Sequence, residues 1–357
     1  MEILWRKYIS DLMEKTALLG KTLGELKTVS AGLGLPKYTG DQLAYWLYKT
    51  NVASFDEMSN ISKKDRATLE ENCEVSAILP AKVQSSEDGT KKYLYSTNSG
   101  KFIETAYIPD ENRKTLCVST QVGCKMGCLF CMTGKQGFQA HLSAGEILNQ
   151  LRSLPERNLI SNIVYMGMGE PLDNPEAVMA SLEILTSEYG FGLSVRKVTV
   201  STIGIIPAMR DFLENSKCNL AVSLHTPFDD ERKQLMPIQN VYPIKEVVDT
   251  IIRYNTGKYR RISFEYIMFK GINDTPRHVN ELARLLNKVK CRINLIRFHP
   301  LPGTPLLGSD DNAIFAFQQG LSAKGIITTL RQSRGLDIDA ACGLLSTKAL
   351  IKAQNEI

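Results

Sequence analysis

The sequence predicts an α/β protein whose main body is a parallel sheet with helices outside it, open or closed into a barrel, preceded by a helical N-terminal unit. Two observations carry this. Beyond about residue 110, strand-like runs alternate with helix-like runs; before about residue 80, apolar residues recur at three- and four-residue intervals. A third is the length, 357 residues with 43% hydrophobic and 23% charged, which suits one large domain plus an accessory one.

Within residues 1–80, LGKTLGELKTVSAGLGL, TGDQLAYWLYKT and SFDEMSNISKKDRATLEENC read as helices, with Thr39 and Ser54 at the expected N-caps and Gly34 able to end the first. Such units serve as recognition modules or as purely structural caps. In residues 81–110 the period changes. KKYLYST and KFIETAYIP are strand-like, and the EDGT and NSG turn signals predict a hairpin linking the two larger parts. Over residues 111–346 the β-then-α order starts at TLCVST and SAGEILNQLRSL. It continues through NIVYMGMG, NPEAVMASLEILTSE, KVTVST, GIIPAMRDFLEN, NLAVSLH, PIKEVVDTIIRYN, RISFEYIMF, TPRHVNELARLLNKV and INLIRFHP, and ends at NAIFAFQQGLSAKG and ITTLRQS. Residues 347–357 form a tail. In folds of this kind the chemistry lies at the C-terminal strand ends.

Composition narrows the setting. No run of about 18 apolar residues appears, and the N-terminus MEILWRKYISDLMEKT mixes charges through its apolar positions, so a cytoplasmic location and no membrane partner are expected. The net charge of +5, from 43 basic against 38 acidic residues, is too mild to require a nucleic-acid partner and is compatible with a local basic surface. Of the eight cysteines, Cys73, Cys218 and Cys291 stand alone and read as plain buried residues. The clustered ones point to metal binding or catalysis more than to a disulfide framework.

Cys124, Cys128 and Cys131 make C-x3-C-x2-C on one short loop after the first strand of the repeating unit. Thiolates suit zinc and iron–sulfur clusters. A structural zinc wants four protein ligands, for which only the distant His141 is available, whereas a cubane held by three cysteines leaves one iron open to a small molecule. The spacing and its place resemble the signature of the radical S-adenosylmethionine (SAM) enzymes. That resemblance implies a partial (β/α) barrel, a [4Fe–4S] cluster on these three cysteines, and SAM chelated to the open iron. GMGEP, Gly167 to Pro171, is similar to the superfamily's glycine–glutamate motif, with Gly169 and Glu170 contacting the SAM amino group. Ser201 in VTVSTIG, Ser223, Leu224 and His225 in AVSLHTP, and His299 in NLIRFHP match further SAM-contacting positions. At 299 many relatives carry asparagine. Read alone, GMGEP is a tight turn with a surface acid, and His299 a structural histidine.

Cys117 and Cys342 stand outside that motif. Taken with IETAYIP, TLCVSTQVGCKMGCLFCMTGKQGF, VYMGMGEPLDN, VTVSTIGIIP, AVSLHTP and RGLDIDAACG, they closely resemble the RlmN family. These enzymes methylate the 2-position of an adenine in 23S ribosomal RNA and, in some members, in transfer RNA. The resemblance runs nearly the whole chain; Leu344 departs from the glutamine common after Cys-Gly. It implies two SAM molecules per methylation. Cys342 takes a methyl group from the first and becomes S-methylcysteine, and a radical derived from the second activates that methyl for addition to adenine, whose carbon 2 is too electron-poor to attack SAM directly. RNA and protein are then linked covalently. Release is implied to need Glu104, in KFIETAYIP, as acceptor of the ring proton, and the Cys117 thiolate, which attacks the sulfur of Cys342 and leaves a disulfide that the cytoplasm reduces. An electron donor such as flavodoxin or ferredoxin follows from the same chemistry. Read alone, Cys342 is a small buried residue and Glu104 a solvent-facing strand residue.

The RNA partner, too, is implied mainly by resemblance. Lys258, Arg260, Arg261, Arg331 and Arg334 are candidate phosphate contacts, or simply solvated cations. The adenine must leave its stack to reach a buried radical, so the target lies in a loop or a remodelled helix. A sister family of resistance-type enzymes shares all five functional cysteines but methylates the 8-position; CMTGKQGF, DIDAACG and the helical N-terminus favour the 2-position. A zinc-stabilised RNA-binding module without catalysis leaves Cys117, Cys342 and GMGEP unexplained. A radical SAM activase acting on a protein glycyl site has no use for Cys342.

Overall fold

A computed structural model of the chain describes residues 15–347, apart from 51, 76 and 256–259. The N-terminal unit holds α1 (Leu23–Gly32), α2 (Thr39–Ala44), which runs into a π-helical turn ending at Thr50, and α3 (Lys63–Asn72). α1 opens on a capping box between Thr22 and Glu25 and stops at Gly34, whose φ of 70° takes the chain out of the helix. Two expected caps differ. Thr39 is the first residue of α2, preceded by Tyr38, and Ser54 opens only a three-residue turn, Phe55–Glu57. The cap of α3 is Ser62, which accepts from the Asp65 amide at 3.1 Å. The third helical run is therefore broken at SNIS, where short polar side chains compete for backbone hydrogen bonds.

The rest builds one ten-stranded sheet. In chain order it comprises β1 (Lys82–Ser85), β2 (Lys91–Ser96), β3 (Phe102–Pro109), β4 (Lys114–Cys117), α4 (Met132–Gln136), α5 (Ala144–Arg152), β5 (Asn162–Tyr165), α6 (Pro175–Thr186), β6 (Val198–Thr202), α7 (Ile206–Asn215) and β7 (Asn219–Ser223). α8 (Asp229–Leu235), α9 (Ile244–Tyr254), β8 (Ile262–Met268), α10 (Pro276–Leu286), β9 (Cys291–Arg297), α11 (Asp311–Ala323) and β10 (Ile327–Arg331) complete it. The strands lie in the sheet in the same order as in the chain. β4 to β10 pair in parallel, and β1 to β4 antiparallel. Successive parallel neighbours joined by helical crossovers of one hand curl a sheet into a barrel wall. Because β1 and β10 remain unpaired edges, the wall stays partial, and the predicted α/β partial barrel is the observed one. The predicted hairpin strands are integral members of this sheet.

Alternation along the strands sets the interior. Leu116, Ile163, Val200, Leu220, Phe264 and Leu295 point outward into the apolar layer beneath the helices. Their neighbours Cys117, Val164, Thr199, Ser263 and Asn294 face a cavity of about 640 Å³ inside the barrel. Residues 332–347 strap the open side. The Gly335 amide donates to Asp88 (2.9 Å) and the Asp337 carboxylate accepts from Ser86 Oγ (2.6 Å) at the β1–β2 turn; further on, the Gly343 and Leu345 carbonyls accept from the Met132 amide (2.8 Å) and Thr133 Oγ1 (2.7 Å). Among the described residues no helix is long and apolar enough to cross a membrane.

Candidate active site

The loop after β4 presents Cys124, Cys128 and Cys131 within eight residues, the first two buried and the third half-buried. Met126, Phe130, Ile203, Met236 and Phe269 surround them. Burial in that apolar shell pushes the Cys124 thiol up to about 12, holds Cys128 well above the usual thiol range, and raises Cys131. Such thiols ionise only against nearby positive charge, which iron ligation provides. Arg232 offers a second sign of fit. It is fully buried, donates to the carbonyls of Ile203 (3.0 Å) and Ser223 (3.1 Å) and to Gln239 Oε1 (2.7 Å), and its pKa falls to about 10 through burial, with Cys128 and Asp229 opposing that fall. A buried cation needs an anionic neighbour, and a thiolate-ligated cluster is one. The residues present therefore fit a three-cysteine [4Fe–4S] cluster. His141, the fourth ligand that a zinc site would require, is exposed, with Nδ1 3.2 Å from Gln121 Nε2 and its ring against Phe138.

The strand ends beside this loop are laced together. Gly169 has φ 99°, and a Cβ there would lie 2.6 Å from the Gln121 side chain, so only glycine fits the turn after β5. Glu170 follows it into the interior. Its Oε1 accepts from Thr202 Oγ1 (2.6 Å) and the Leu172 amide (3.1 Å), and its Oε2 accepts from the Ile203 amide (3.0 Å). Burial raises its pKa to about 7 against these three donors. Far from being a surface acid, Glu170 ties the end of β5 to that of β6 and keeps acceptor capacity on Oε2. Ser201 and Ser223 are half-buried at the ends of β6 and β7, while Leu224 is buried and gives its carbonyl to Arg232 Nε at 3.3 Å. His225 is buried with φ 59°; its Nδ1 accepts from the Ile267 amide (3.0 Å), and its ring meets Phe130 of the cysteine loop edge-on at 4.6 Å.

Inside the barrel, Cys117, Cys131, Cys342 and His299 line the same cavity, although the first and third are 225 residues apart in the chain. β4 aims Cys117 inward, and the strap carries Cys342, which is exposed to the cavity. All eight cysteines are free thiols. Burial, then Cys342, pushes the Cys117 thiol up to about 12, and Arg331 opposes this. The Arg331 guanidinium is bound more firmly to its proton, chiefly through the Cys342 thiolate, and lies 3.4 Å from Glu265 Oε2. His299 bonds Ser333 Oγ through Nε2 (2.7 Å).

Other predicted residues fall elsewhere. Glu104 is buried on the inner face of β3, where it pairs with Lys92 (3.1 Å) and accepts the Ser346 amide (3.0 Å); it is no solvent-facing residue. Arg260 turns away from the cavity to the Leu213 and Ser216 carbonyls and the Phe212 ring, a structural tie. Arg261, Arg331 and Arg334 line the cavity, together with Arg113 and Arg292. Lys258 lies outside the described residues. Thr202, Arg232, Lys92 and Glu265 were not singled out from the sequence.

The chain is similar to known proteins over most of its length. Residues 118–286 match the Radical SAM superfamily, and residues 16–75 match the ribosomal RNA large subunit methyltransferase N-terminal domain. A Parabacteroides distasonis protein described as a probable dual-specificity RNA methyltransferase RlmN is 52% identical over 94% of this chain and 98% of its own length. A protein of the same description from Phocaeicola vulgatus is 51% identical over 93% and 95%. The crystal structure of a radical SAM methyltransferase from Sphaerobacter thermophilus superposes with a TM-score of 0.86 at 40% identity, covering 92% of this chain and 99% of that one.

Proposed function

The chain belongs to the RlmN family of radical SAM RNA methyltransferases, and from that premise we propose that it methylates carbon 2 of an adenine in 23S ribosomal RNA and in transfer RNA. The observation that carries the reading is the meeting of Cys117 and Cys342 in one cavity with Cys131 of the cluster loop. Neither a zinc module nor an ordinary methyltransferase has use for two such thiols.

Cys124, Cys128 and Cys131 hold the [4Fe–4S] cluster, and the turn from Gly169 to Glu170, the ends of β6 and β7, and His299 shape the SAM pocket. Cys342 accepts a methyl group from one SAM. When bound and reduced by a donor such as flavodoxin or ferredoxin, the cluster supplies the electron that cleaves a second SAM, giving the radical that takes hydrogen from the Cys342 methyl group. After the protein–RNA adduct forms and its unpaired electron passes back to the oxidised cluster, Glu104 takes the ring proton; the Cys117 thiolate then attacks the sulfur of Cys342, the S–CH2 bond breaks with its electron pair going to the methylene carbon, that carbon takes a proton to become the methyl group, and a Cys117–Cys342 disulfide is left as the methylated base departs. Cytoplasmic thiols reduce that disulfide for the next turn. The arginines of the cavity and the N-terminal helical unit hold the RNA.

The test uses cluster-reconstituted protein under anaerobic reduction with methyl-labelled SAM and ribosomal or transfer RNA, followed by mass spectrometry of the nucleosides. Label in 2-methyladenosine is expected; label in 8-methyladenosine would move the chain's chemistry to that of the sister family. In the same assay Cys342→Ala is expected to keep its iron and load no methyl group. Cys117→Ala should load the methyl group and stall as a protein–RNA adduct, and free turnover by that variant would remove its assigned role.

A further inference from the structure

A base that takes a proton from adenine must be ionised when the adduct forms, and the surroundings of Glu104 work against that. Its carboxylate is buried, and burial is the largest influence on its pKa, which is raised. Lys92 is the main opposing influence and is itself buried, its ammonium 3.1 Å from Glu104 Oε1. The register explains the pair. Lys92 lies opposite Ala106 and Leu94 opposite Glu104, so Lys92 and Glu104 are diagonal neighbours on the inner face of β2 and β3. Ala106 in turn lies opposite Cys117 on β4, which puts the proton acceptor and the resolving thiol on one face of three adjacent strands. The second oxygen, Oε2, accepts the Ser346 amide, four residues beyond Cys342 on the strap. The charged and titratable groups that face Glu104 are Lys92 from β2, Asp339 from the strap, whose charge pushes the opposite way to Lys92, and Cys117 one row along.

We propose that Lys92 is a positioning residue for the release step, holding Glu104 ionised and aimed at the adenine C2 hydrogen through its bond to Oε1. This rests on the assignment of Glu104 made above. In the step the C2–H bond breaks, the ring carbon keeps the electron pair, and the proton passes to the Glu104 carboxylate. Lys92, with three donor hydrogens and no lone pair, takes no proton; its contribution is the charge that a buried carboxylate lacks.

The experiment compares wild-type holoenzyme with Lys92→Met and Lys92→Arg, following three readouts on 23S ribosomal RNA: methyl loading on Cys342 by intact mass, the covalent protein–RNA species on denaturing gels, and the pH profile of product release. Loading needs no ring proton transfer and is expected at the wild-type rate in both variants. In Lys92→Met the adduct should persist, with release about 100-fold slower at neutral pH, the scale of a lost general base. The sign follows from the charge: without the ammonium, Glu104 keeps its proton to higher pH, so the midpoint of the release profile moves up and the rate recovers in alkali. Lys92→Arg should restore rate and midpoint. Release by Lys92→Met at the wild-type rate and midpoint would overturn the proposal. If the methionine variant fails to fold or to hold iron, Lys92→Gln, which keeps a donor to Oε1 without charge, decides in the same way. Failure of the underlying reading has its own sign, since a Glu104→Gln enzyme that releases product at the wild-type rate removes the assigned proton acceptor before any Lys92 variant is made.

Discussion

His225 illustrates what a single residue does here and what its letter conceals. The motif AVSLHTP marks it as a candidate SAM contact, yet its Nδ1 accepts the Ile267 amide and its ring supports Phe130 in the cysteine loop. The first contact requires an unprotonated Nδ1, and burial lowers the pKa from 6.5 to about 3. Between those values the unfolded chain binds a proton that the folded one does not, so stability falls as pH drops from 6.5 towards 3, by at most about 1.4 kcal/mol per pH unit from this group. Asparagine tolerates the φ of 59°, and its Oδ1 can stand where Nδ1 does. His225→Asn is therefore expected to fold at pH 7 and to show a flatter urea midpoint between pH 6.5 and 4.5 than wild type. An unchanged pH dependence would place the titration elsewhere. The cysteine loop was legible because its three cysteines are local in sequence. Thr202 for Glu170, Arg232 for the strand-end carbonyls and Lys92 for Glu104 were not, because each pair exists only once separate strands or loops have been brought together.

At the scale of elements, the strands and helices with a clear hydrophobic period were readable, while β1 and α8 were not, being short and polar. The strap was the larger omission. DIDAACG drew attention for its cysteine, but residues 332–347 have no repeating pattern from which a path could be inferred. Asp337, inside that motif, is one of its anchors, accepting from Ser86 Oγ (2.6 Å) and from the Glu87 amide (3.3 Å). Hydrogen bonds to an exposed charged group are worth about 1–2 kcal/mol together, and placing Cys342 against SAM depends on the strap being ordered beforehand. Asp337→Ala should thus slow methyl transfer to Cys342 about 10-fold, as read by single-turnover labelling, with iron content and cluster absorption unchanged. Wild-type loading in this variant would mean that the remaining contacts, to Asp88, Met132, Thr133, Glu104 and His299, suffice to hold the strap.

At the scale of the whole molecule, the N-terminal unit is fastened to the barrel through its outer helices. Arg152 at the end of α5 is buried and donates to the Val75 carbonyl (2.8 Å) and to that of Val52, while Asn149 exchanges bonds with both backbone groups of Ile78 (2.8 and 3.1 Å). Aromatic contacts add to this, with Tyr48 at 5.8 Å from Phe191 and 6.5 Å from Tyr189. The apolar residues of the unit share one continuous core with the sheet. Replacing Arg152 by methionine keeps much of the volume but strands two buried carbonyls, a loss of about 2–5 kcal/mol. The unit should then loosen from the barrel, visible as earlier proteolytic cleavage near residues 76–81 and a lower melting temperature. Cys342, by contrast, depends on the strap, on α4 and on the β1–β2 turn, none of which Arg152 touches. Arg152→Met is therefore expected to load methyl on Cys342 at close to the wild-type rate while methylating RNA at least 10-fold more slowly, because a unit proposed to hold the RNA cannot present the adenine once it no longer keeps its position. Equal losses in loading and in RNA methylation would instead assign the unit a purely structural role in supporting the barrel.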